Sequence, residues 1–290
     1  MNRLERWFLA IRPKTLGISV APVLVGTTLA HADTGLLQWL PAMAALFAAL
    51  LIQIGTNLYN DAADYDRGAD TPDRLGPARA TAQGWFTSRE VKKAAHISFA
   101  LAFCIGIYLA AIGGWVIVAV GLLSILAGYA YTCGPKPIAY SASGELFVFL
   151  FFGLAAVLGS YYLQTHNVNL NAFLCASALG LLAAAVLLVN NYRDHKTDAK
   201  AHKLTLTHYL GRHRSHIVFG LLLLLPFLLP LLLSDLSVNT WLILLLMPAA
   251  LLLLRGFIQE EPGPIFNVYL ANTAKLQLAY SILLSIGLYL

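Results

Sequence analysis

Charged residues are scarce in this chain of 290 residues: Asp, Glu, Lys and Arg together make up 11%, while hydrophobic residues make up 59%. Soluble domains carry about 25% charged residues, so this composition excludes an ordinary soluble domain. The mean hydropathy of +0.71 is typical of a membrane protein. The net charge is +5, but the placement of the basic residues argues against a nucleic-acid partner.

Cysteine is scarce as well. Cys104, Cys133 and Cys175 are odd in number and lie scattered in apolar or flanking segments. This pattern is typical of separate buried thiols, and it indicates neither a disulfide framework nor a zinc site.

Apolar runs of the length that a bilayer needs are abundant by contrast. Nine of them cover residues 15–31, 36–59, 91–112, 114–131, 144–164, 170–191, 216–233, 240–257 and 268–290. They predict an all-α polytopic membrane protein in which nine transmembrane helices surround a central cavity. We expect residues 1–290 to form a single domain.

The connections between the runs alternate in charge. Residues 31–35, 112–114, 165–169 and 234–239 contain no Lys or Arg. The basic residues, apart from Lys275, lie in the amino terminus, in the other connections and at the helix ends beside them. By the positive-inside rule the amino terminus and the acidic clusters described next are cytoplasmic. With nine spans the carboxy terminus then lies outside, and we expect the protein in the inner membrane.

An acidic cluster follows the second run. Four aspartates lie within ten residues, directly behind the apolar run: Asp61, Asp64, Asp66 and Asp70. Acids cost roughly several kcal/mol in hydrocarbon, so a cluster at the end of a span indicates function. On a helix, Asn60 and Asp64 lie one turn apart on one face. Such oxygens suit Mg²⁺, which prefers one or two carboxylates, water and phosphate oxygens.

A cluster of the same design follows the sixth run. Apolar residues 173–189 lead into two asparagines and then into Asp194 and Asp198, four residues apart. Each cluster also contains an arginine, Arg67 in the first and Arg193 in the second. One cluster alone could be a polar loop that caps a span. Two matching clusters at the cytoplasmic ends of two spans predict one shared site.

Two carboxylate clusters at the mouth of an apolar bundle match the needs of prenyl diphosphate chemistry. Diphosphate leaves readily only when its charge is neutralised, and Mg²⁺ ions together with Arg and Lys supply that charge. An apolar slot suits an isoprenoid tail, and aromatic faces can stabilise an allylic cation while water is kept out. The aromatic candidates, each of which could instead be ordinary packing, are Tyr129, Tyr131, Tyr140, Phe147, Phe151, Tyr161 and Tyr162.

Two cytoplasmic connections, 60–90 and 192–215, are long, and loops of such length are usually functional or disordered. The first contains Arg74 and Arg79 on either side of a Gly-Pro turn. We expect it to form a lid over the acids, mobile without substrate and ordered by diphosphate through charge-assisted hydrogen bonds.

Lys275 lies in the last run, about 10 Å below the cytoplasmic surface for a rise of 1.5 Å per residue from Val268. A lysine at this depth can snorkel to the headgroups. Asn272 lies one turn earlier on the same face, so we predict instead that Lys275 faces the cavity. There it would pair with an anion, either the carboxylate or phenolate of an acceptor or the departing diphosphate.

Several motifs resemble those of the UbiA-type intramembrane prenyltransferases, and the resemblance covers nearly the whole chain. The two aspartate motifs read Asn60-Asp61-x-x-Asp64 and Asp194-x-x-x-Asp198. Within the superfamily the likeness is strongest to the menaquinone-pathway enzymes that prenylate 1,4-dihydroxy-2-naphthoate. It is carried by Arg12-Pro13-Lys14-Thr15, by Gly68-x-Asp70 to Asp73-Arg74-x-Gly76-Pro77-x-Arg79, by Phe151-Phe152-Gly153 to Gly159-Ser160-Tyr161-Tyr162-Leu163-Gln164, and by Asn190-Asn191-x-Arg193-Asp194.

The resemblance implies a nine-helix UbiA-like fold in the lipid bilayer and Mg²⁺-dependent transfer of a polyprenyl group from polyprenyl diphosphate to a ring carbon of an aromatic quinone precursor. For a naphthoate acceptor it implies loss of the carboxylate. The residues expected to be catalytic are Asn60, Asp61, Asp64, Asp194 and Asp198. Those expected to hold Mg²⁺ are Asn60, Asp64, Asp70, Asp194 and Asp198. Those expected to bind diphosphate are Arg67, Arg79, Arg193 and Lys203. The expected acceptor or cation pocket contains Lys275, Asn272, Tyr129, Tyr131 and Tyr161.

The sequence departs from the family's usual pattern after Asp198, where His202 replaces a glycine and Tyr209 replaces an arginine. The acceptor could therefore be another aromatic ring, such as 4-hydroxybenzoate or homogentisate. A cation-coupled transporter is a remote alternative, because coupling sites usually lie at the bilayer midplane and these acids lie at helix ends. A histidine-metal protein is another, suggested by five crowded histidines whose spacing fits no single-face ligand set: His195, His202, His208, His213 and His216.

Overall fold

A computed structural model describes residues 1–70, 75–233 and 238–290. Within these ranges the chain is helical and contains no β-strand. The α-helices are α1 (Arg3–Ala10), α2 (Pro13–Thr34), α3 (Trp39–Asp66), α4 (Ser88–Ala130), α5 (Gly144–Val148), α6 (Ala156–Thr165), α7 (Leu170–Lys200), α8 (Leu206–Leu224), α9 (Leu229–Leu232), α10 (Met247–Gln259) and α11 (Phe266–Tyr289). A π-helical segment, Phe149–Ala155, joins α5 to α6, and the 3₁₀ segments are Ile138–Tyr140, Leu225–Leu228 and Val238–Leu246. Arg74 and Asp73 lie outside the described residues.

Six of the helical segments in the described part of the chain are long and apolar enough to cross a membrane. These are Pro13–Thr34, Trp39–Asp66, Ser88–Ala130, Gly144–Thr165, Leu170–Lys200 and Asn239–Gln259. The prediction of an all-helical polytopic protein is therefore confirmed at this level.

Helix α4 is a hairpin of two arms that turn at Gly114. The backbone there has φ 60° and ψ −153°, a conformation that is essentially restricted to glycine. The arms run antiparallel, because His96 Nδ1 on the first arm lies 2.6 Å from the Tyr129 hydroxyl on the second. The ring centroids of Phe99 and Tyr129 are 4.4 Å apart. The predicted runs 91–112 and 114–131 are these two arms.

Helix α7 lies at the centre of the bundle and is the most buried of the six long segments. Between membrane helices the driving force is close van der Waals packing, which small residues permit. A Cβ added to Gly153 in the π-helical segment would lie 2.5 Å from the Cα of Gly180 in α7, so both glycines are required for this approach. Because α7 is held on all sides, its polar carboxyl-terminal end is fixed against the neighbouring helices.

The helical parts of the two acidic motifs extend further than the sequence analysis predicted. Helix α3 continues to Asp66 and α7 continues to Lys200, so both motifs are helical. The connection predicted over 192–215 is wrong in extent: only residues 201–205 separate α7 from α8. No glycine or proline interrupts residues 192–200, which explains why the helix continues past the membrane.

His202 lies in this short link with φ 54°, in the left-handed region that favours glycine. A non-glycine residue there costs about 1–2 kcal/mol, while glycine costs about 0.5–1 kcal/mol more in unfolded-chain entropy. We expect His202→Gly to stabilise the protein by roughly 0.5–1 kcal/mol. Thermal unfolding in detergent measures this, with Lys196→Gly at an exposed position inside α7 as the control, which should lower the midpoint. A lower midpoint for His202→Gly would contradict the assignment of strain.

Candidate active site

The two acidic motifs occupy the carboxyl-terminal turns of α3 and α7. Helix α3 ends at Asp66, and two residues later Gly68 has φ 70°, which lets the following amide, of Ala69, donate to the Asp64 carbonyl at 2.9 Å. A helix carboxyl terminus carries a partial negative charge, which adds to that of the acidic side chains. Two such ends therefore make a strong site for cations.

Arg79 lies at the centre of the first motif. Its Nη1 donates to Asn60 Oδ1 at 2.5 Å and its Nη2 donates to Asp64 Oδ2 at 2.7 Å. Its Nε lies 3.4 Å from Asp70 Oδ1, and its side chain is only 4% exposed. Burial alone would lower the pKa of Arg79, but the carboxylates of Asp64, Asp70 and Asp61 outweigh it and raise that pKa. The guanidinium thus helps to neutralise this motif, and the described part of the predicted lid is folded into the site.

Asp61 has a different position from the other acids of the motif. It is 1% exposed and accepts hydrogen bonds from the Ala80 and Thr81 amides at 2.8 and 3.0 Å and from the Thr81 hydroxyl at 2.6 Å. A carboxylate with three such donors is committed to holding the chain that follows Arg79. Asp61 therefore positions the chain that follows Arg79, and the catalytic role expected from the sequence stays a prediction.

The second motif is braced by Arg193. Its Nε and Nη2 donate to the two carboxylate oxygens of Asp194 at 2.9 and 2.6 Å. Nη2 also donates to Asn190 Oδ1 at 2.9 Å, and Nη1 donates to Asn267 Oδ1 at 2.8 Å. All three guanidinium nitrogens are thus used inside the protein, and the side chain is fully buried. This arrangement directs Arg193 toward Asp194 and away from the cavity, whose lining does not include it, and the predicted contact of Arg193 with diphosphate stays a prediction.

Tyr140, in the connection between α4 and α5, links the two motifs. Its hydroxyl donates to Asp64 Oδ1 at 2.9 Å. The Lys203 ammonium lies 6.0 Å from the Tyr140 ring centroid and 3.4 Å from Asp198 Oδ2, and the Arg67 guanidinium lies 5.3 Å from the same ring. Burial, followed by the charge of Asp64, raises the pKa of Tyr140, so the phenol stays protonated and remains a donor. Tyr140 thus lies between the two motifs, bonded to Asp64 of the first and close to Lys203, which pairs with Asp198 of the second.

We expect Tyr140→Phe to lower kcat/KM for prenyl transfer by about 10- to 100-fold, because a hydrogen bond to a charged group contributes roughly 1.5–3 kcal/mol. The substitution keeps the aromatic ring beside Arg67 and Lys203, so the loss of activity measures the contribution of the hydroxyl alone. Tyr65→Phe, at an exposed position on α3, is the matched control and should keep wild-type kinetics. A Tyr140→Phe enzyme within twofold of the wild type would show that the hydroxyl does not position Asp64.

A cavity of about 800 Å³ opens beside this cluster. Its polar end is lined by four cations, Arg12, Lys14, Arg79 and Lys203, and by asparagines that include Asn60, Asn190 and Asn191. Beyond them the lining is mainly apolar and includes Tyr131, Phe147 and Phe151. A cationic mouth over an apolar interior suits an amphiphilic anion.

The donor set fits Mg²⁺, since every ligand candidate is an oxygen of an amide or a carboxylate. Among residues 1–70, 75–233 and 238–290, no three His, Cys, Asp or Glu side chains converge closely enough to hold a metal ion by themselves. Mg²⁺ commonly takes one or two carboxylates and completes its shell with phosphate oxygens and water. The histidine-metal alternative has no support in the described part of the chain.

The predicted acceptor pocket is only partly assembled. Tyr131 lines the cavity. Tyr129 instead packs on Tyr59, His96 and Phe99 outside it. Tyr161 lies near the opposite end of the bundle, where its hydroxyl donates to Asp33 Oδ2 at 2.6 Å.

Lys275 and Asn272 are also placed outside the cavity lining. Lys275 is exposed, whereas its neighbours Ala274 and Leu276 are buried, so the lysine is on the outer face of α11. The prediction that it faces the cavity is wrong, because the helix turns its small and apolar residues inward. We expect Lys275→Met to keep kinetics within about twofold of the wild type for both substrates. The comparison is Lys203→Met at the mouth, and a tenfold loss in Lys275→Met would contradict the outward placement.

The structure adds residues that the sequence analysis left without a role. Arg12 and Lys14 belong to the motif Arg12-Pro13-Lys14-Thr15, and both line the mouth of the cavity. Asn267 on α11 was not singled out, yet it accepts from Arg193 and donates to the Leu75 carbonyl at 2.8 Å. An asparagine at the start of a long apolar run is the signal that could have found it.

Comparison with known proteins identifies the class to which this fold and site belong. The UbiA prenyltransferase family matches residues 19–276, and the chain belongs to this family. Because the members of this family are prenyltransferases, the transporter alternative has no support. Together with the apolar helices, membership also makes this a multi-pass membrane protein.

Two similar bacterial proteins carry the same name. The 1,4-dihydroxy-2-naphthoate octaprenyltransferase of Escherichia coli K12 is 36% identical over an alignment that covers 100% of this chain and 97% of that protein. Its Mycobacterium tuberculosis counterpart is 41% identical over 77% of this chain and 76% of the relative. Among solved structures, a UbiA homolog from Archaeoglobus fulgidus bound to DMAPP and Mg²⁺ matches with a TM-score of 0.68 at 16% identity, covering 97% of this chain and 99% of that one. A digeranylgeranylglyceryl phosphate synthase matches with a TM-score of 0.66 over 100% and 99%.

Proposed function

We propose that this protein transfers a polyprenyl group from polyprenyl diphosphate to 1,4-dihydroxy-2-naphthoate, the prenylation step of menaquinone biosynthesis. The observation that carries the proposal is the juxtaposition of a cationic mouth, two acidic helix ends and an apolar cavity in a UbiA family member. The relatives' name supplies the aromatic acceptor and the class of donor.

The residues at the mouth bind the diphosphate. Arg12, Lys14 and Lys203 present cations to it, and Arg79 adds a fourth when it leaves the acids. Asn60, Asp64, Asp70, Asp194 and Asp198 would hold Mg²⁺, which when bound neutralises the diphosphate and makes it a better leaving group. The acids lie behind the cations that line the mouth, so substrate binding has to rearrange these ion pairs.

The cavity walls act on the prenyl group and the acceptor. Tyr131, Phe147 and Phe151 offer aromatic faces where positive charge develops on the allylic carbon. The apolar lining keeps water from capturing that carbon. As the carbon–oxygen bond to diphosphate breaks, the ring carbon that carries the acceptor's carboxylate forms the new carbon–carbon bond, and the carboxylate leaves as CO₂. If the acceptor is 4-hydroxybenzoate or homogentisate, the same residues would bind the polyprenyl diphosphate and only the acceptor ring would differ.

We place the protein in the inner membrane as one domain, residues 1–290, with nine spans. The α4 hairpin contributes two of them, and the helical segments around α8 and α11 complete the count. The amino terminus and the mouth then face the cytoplasm and the carboxy terminus faces outside, in accord with the basic residues at the mouth. Cysteine labelling from each side of sealed vesicles, at positions 2 and 290, tests this orientation.

The test of function uses the purified protein in detergent with octaprenyl diphosphate, 1,4-dihydroxy-2-naphthoate and Mg²⁺. We expect a prenylated, decarboxylated product by mass spectrometry, and no product in EDTA. Competition with 4-hydroxybenzoate and homogentisate ranks the acceptors. A preference for 4-hydroxybenzoate or homogentisate would make that compound the acceptor in place of the naphthoate. Folded protein that prenylates none of the three would overturn the proposal.

A further inference from the structure

A buried acid lies directly behind the cavity wall and has no role in the proposed reaction. Glu145, at the start of α5, is 5% exposed and is not among the residues that line the cavity. Its Oε1 accepts a hydrogen bond of 2.9 Å from Nδ2 of Asn191 on α7. Its Oε2 is buried and accepts no hydrogen bond from the described part of the chain. Because a buried carboxylate with one side-chain donor is costly, we expect this one to have a function.

Close packing of α5 on α7 brings the acid to Asn191. A Cβ added to Gly144 would lie 3.3 Å from Cδ2 of Leu187, so this glycine lets the start of α5 approach α7 closely. Leu187 is one turn before Asn191 on the same face of α7. Glu145, the next residue after Gly144, therefore reaches the Asn191 amide although the two are 46 residues apart in the chain.

The hydrogen bond fixes the way in which Asn191 faces the cavity. Asn191 lines the cavity, whereas Glu145 does not. A carboxylate only accepts hydrogen bonds, so the amide nitrogen turns toward Glu145 and the carbonyl oxygen, Oδ1, is left for the cavity. Within the residues that the structure describes, nothing donates to this oxygen. A glutamine in place of Glu145 could either accept or donate, and both orientations of Asn191 would then be open.

A carbonyl oxygen that faces the cavity suits only one of its proposed organic contents. The diphosphate and the acceptor's carboxylate have no hydrogen to donate, and the prenyl tail is apolar. A hydroxyl group on the acceptor ring does have one. In 1,4-dihydroxy-2-naphthoate the 1-hydroxyl donates to the neighbouring carboxylate of the same molecule, so the 4-hydroxyl is the free donor.

Asn191 also lies at the right level of the cavity for a ring contact. The residues that α7 contributes to the lining change from apolar to polar along the helix: Ala183, Val186, Leu187, Asn190 and Asn191. Asn191 is therefore at the boundary between the apolar interior and the cationic mouth. In the proposed reaction the acceptor ring has to meet the allylic carbon at this boundary.

We propose that Asn191 accepts a hydrogen bond from the 4-hydroxyl of the acceptor, and that Glu145 is the positioning residue that holds the Asn191 carbonyl toward it. This inference rests on the proposed function and names the feature of the acceptor that the site recognises. The pair selects a ring with two hydroxyl groups over the same ring without the second one. Since Glu145 does not line the cavity, its effect passes through Asn191.

The test measures the KM for 1,4-dihydroxy-2-naphthoate and the inhibition constant of 1-hydroxy-2-naphthoate, which lacks only the 4-hydroxyl. We expect the wild type to prefer the dihydroxy compound by at least about tenfold, because the analogue leaves a buried polar atom unpaired. Glu145→Gln keeps the size of the side chain and should reduce this preference to about threefold or less. Its KM for octaprenyl diphosphate and its Mg²⁺ requirement should stay within about twofold of the wild type. Glu260→Gln, at an exposed position just after α10, is the matched control and should keep the wild-type preference.

A reciprocal double variant tests whether the orientation of the amide is what matters. In Glu145→Gln/Asn191→Asp the amide and the carboxylate exchange places, and an accepting oxygen again faces the cavity. We expect this variant to regain a preference of about tenfold for the dihydroxy compound. Asn191→Leu should lose the preference, and adding Glu145→Gln to it should cause no further change, because Glu145 acts through Asn191.

The outcomes separate this inference from the function on which it rests. A folded Glu145→Gln enzyme with the wild-type preference would show that the acid does not orient Asn191. A changed Mg²⁺ requirement or donor KM with an unchanged preference would assign the pair to the metal or the diphosphate and overturn the hydroxyl contact. Wild-type enzyme that prenylates the dihydroxy compound without preferring it would refute this inference alone. Wild-type protein that prenylates no acceptor would refute the proposed function, and the inference with it.

Discussion

The Asp64→Asn enzyme is expected to lose prenyl transfer almost completely, by at least about 1,000-fold in kcat/KM. The substitution keeps the size of the side chain and removes its charge. Asp64 is 2% exposed and joins Arg79, at 2.7 Å, to Tyr140, at 2.9 Å. Without this carboxylate the cluster loses both a proposed Mg²⁺ ligand and the acceptor for two donors. Single-turnover formation of prenylated product measures the loss.

Asp66→Asn is the matched control. Asp66 lies two residues further on α3, with a side chain that is 39% exposed, and it pairs with Lys92 at the surface. It should retain near-wild-type rates. Asp198→Asn should be as inactive as Asp64→Asn, and the double variant should be no worse, since residues that act as one unit are not additive. An active Asp64→Asn enzyme, or losses that multiply in the double variant, would refute a shared site.

The second large effect concerns stability without metal. Arg79→Met removes the buried guanidinium that neutralises Asp64 and Asp70, and removing one partner of a buried ion pair costs about 3–5 kcal/mol. In EDTA we expect the thermal unfolding midpoint of Arg79→Met to fall by several degrees. Mg²⁺ should restore much of this loss and should raise the midpoint of the variant more than that of the wild type, in which Arg79 competes for the same oxygens.

Arg89→Met, which removes an exposed arginine at the start of α4, controls for the loss of a positive charge. It should unfold at the wild-type temperature and respond to Mg²⁺ as the wild type does. If Mg²⁺ shifts Arg79→Met and the wild type equally, Arg79 and the metal do not share ligands. The experiment needs no substrate, so it tests the metal site separately from turnover.

The sequence by itself determined the class of the protein and the chemistry of its site. Few charges and long apolar runs leave no alternative to membrane helices, because unpaired polar groups are too costly in hydrocarbon. Asp64 and Asp198 were identifiable because acids at the ends of apolar runs are rare and need a function. Both aspartates belong to local motifs, in which the spacing along one helix places the side chains.

Only the tertiary structure decided which side chains meet across the bundle. The sequence contains equally plausible tyrosines, yet Tyr140 contacts Asp64 while Tyr161 binds Asp33 at the far end. It contains three arginines expected to bind diphosphate, Arg67, Arg79 and Arg193, and burial commits Arg193 to Asp194 while Arg79 reaches the cavity. Such pairings depend on helix rotation and on contacts between residues far apart in the chain, which the spacing within one helix does not encode. The outward position of Lys275 has the same cause, because α11 is apolar on several sides and its rotation is set by packing against its neighbours.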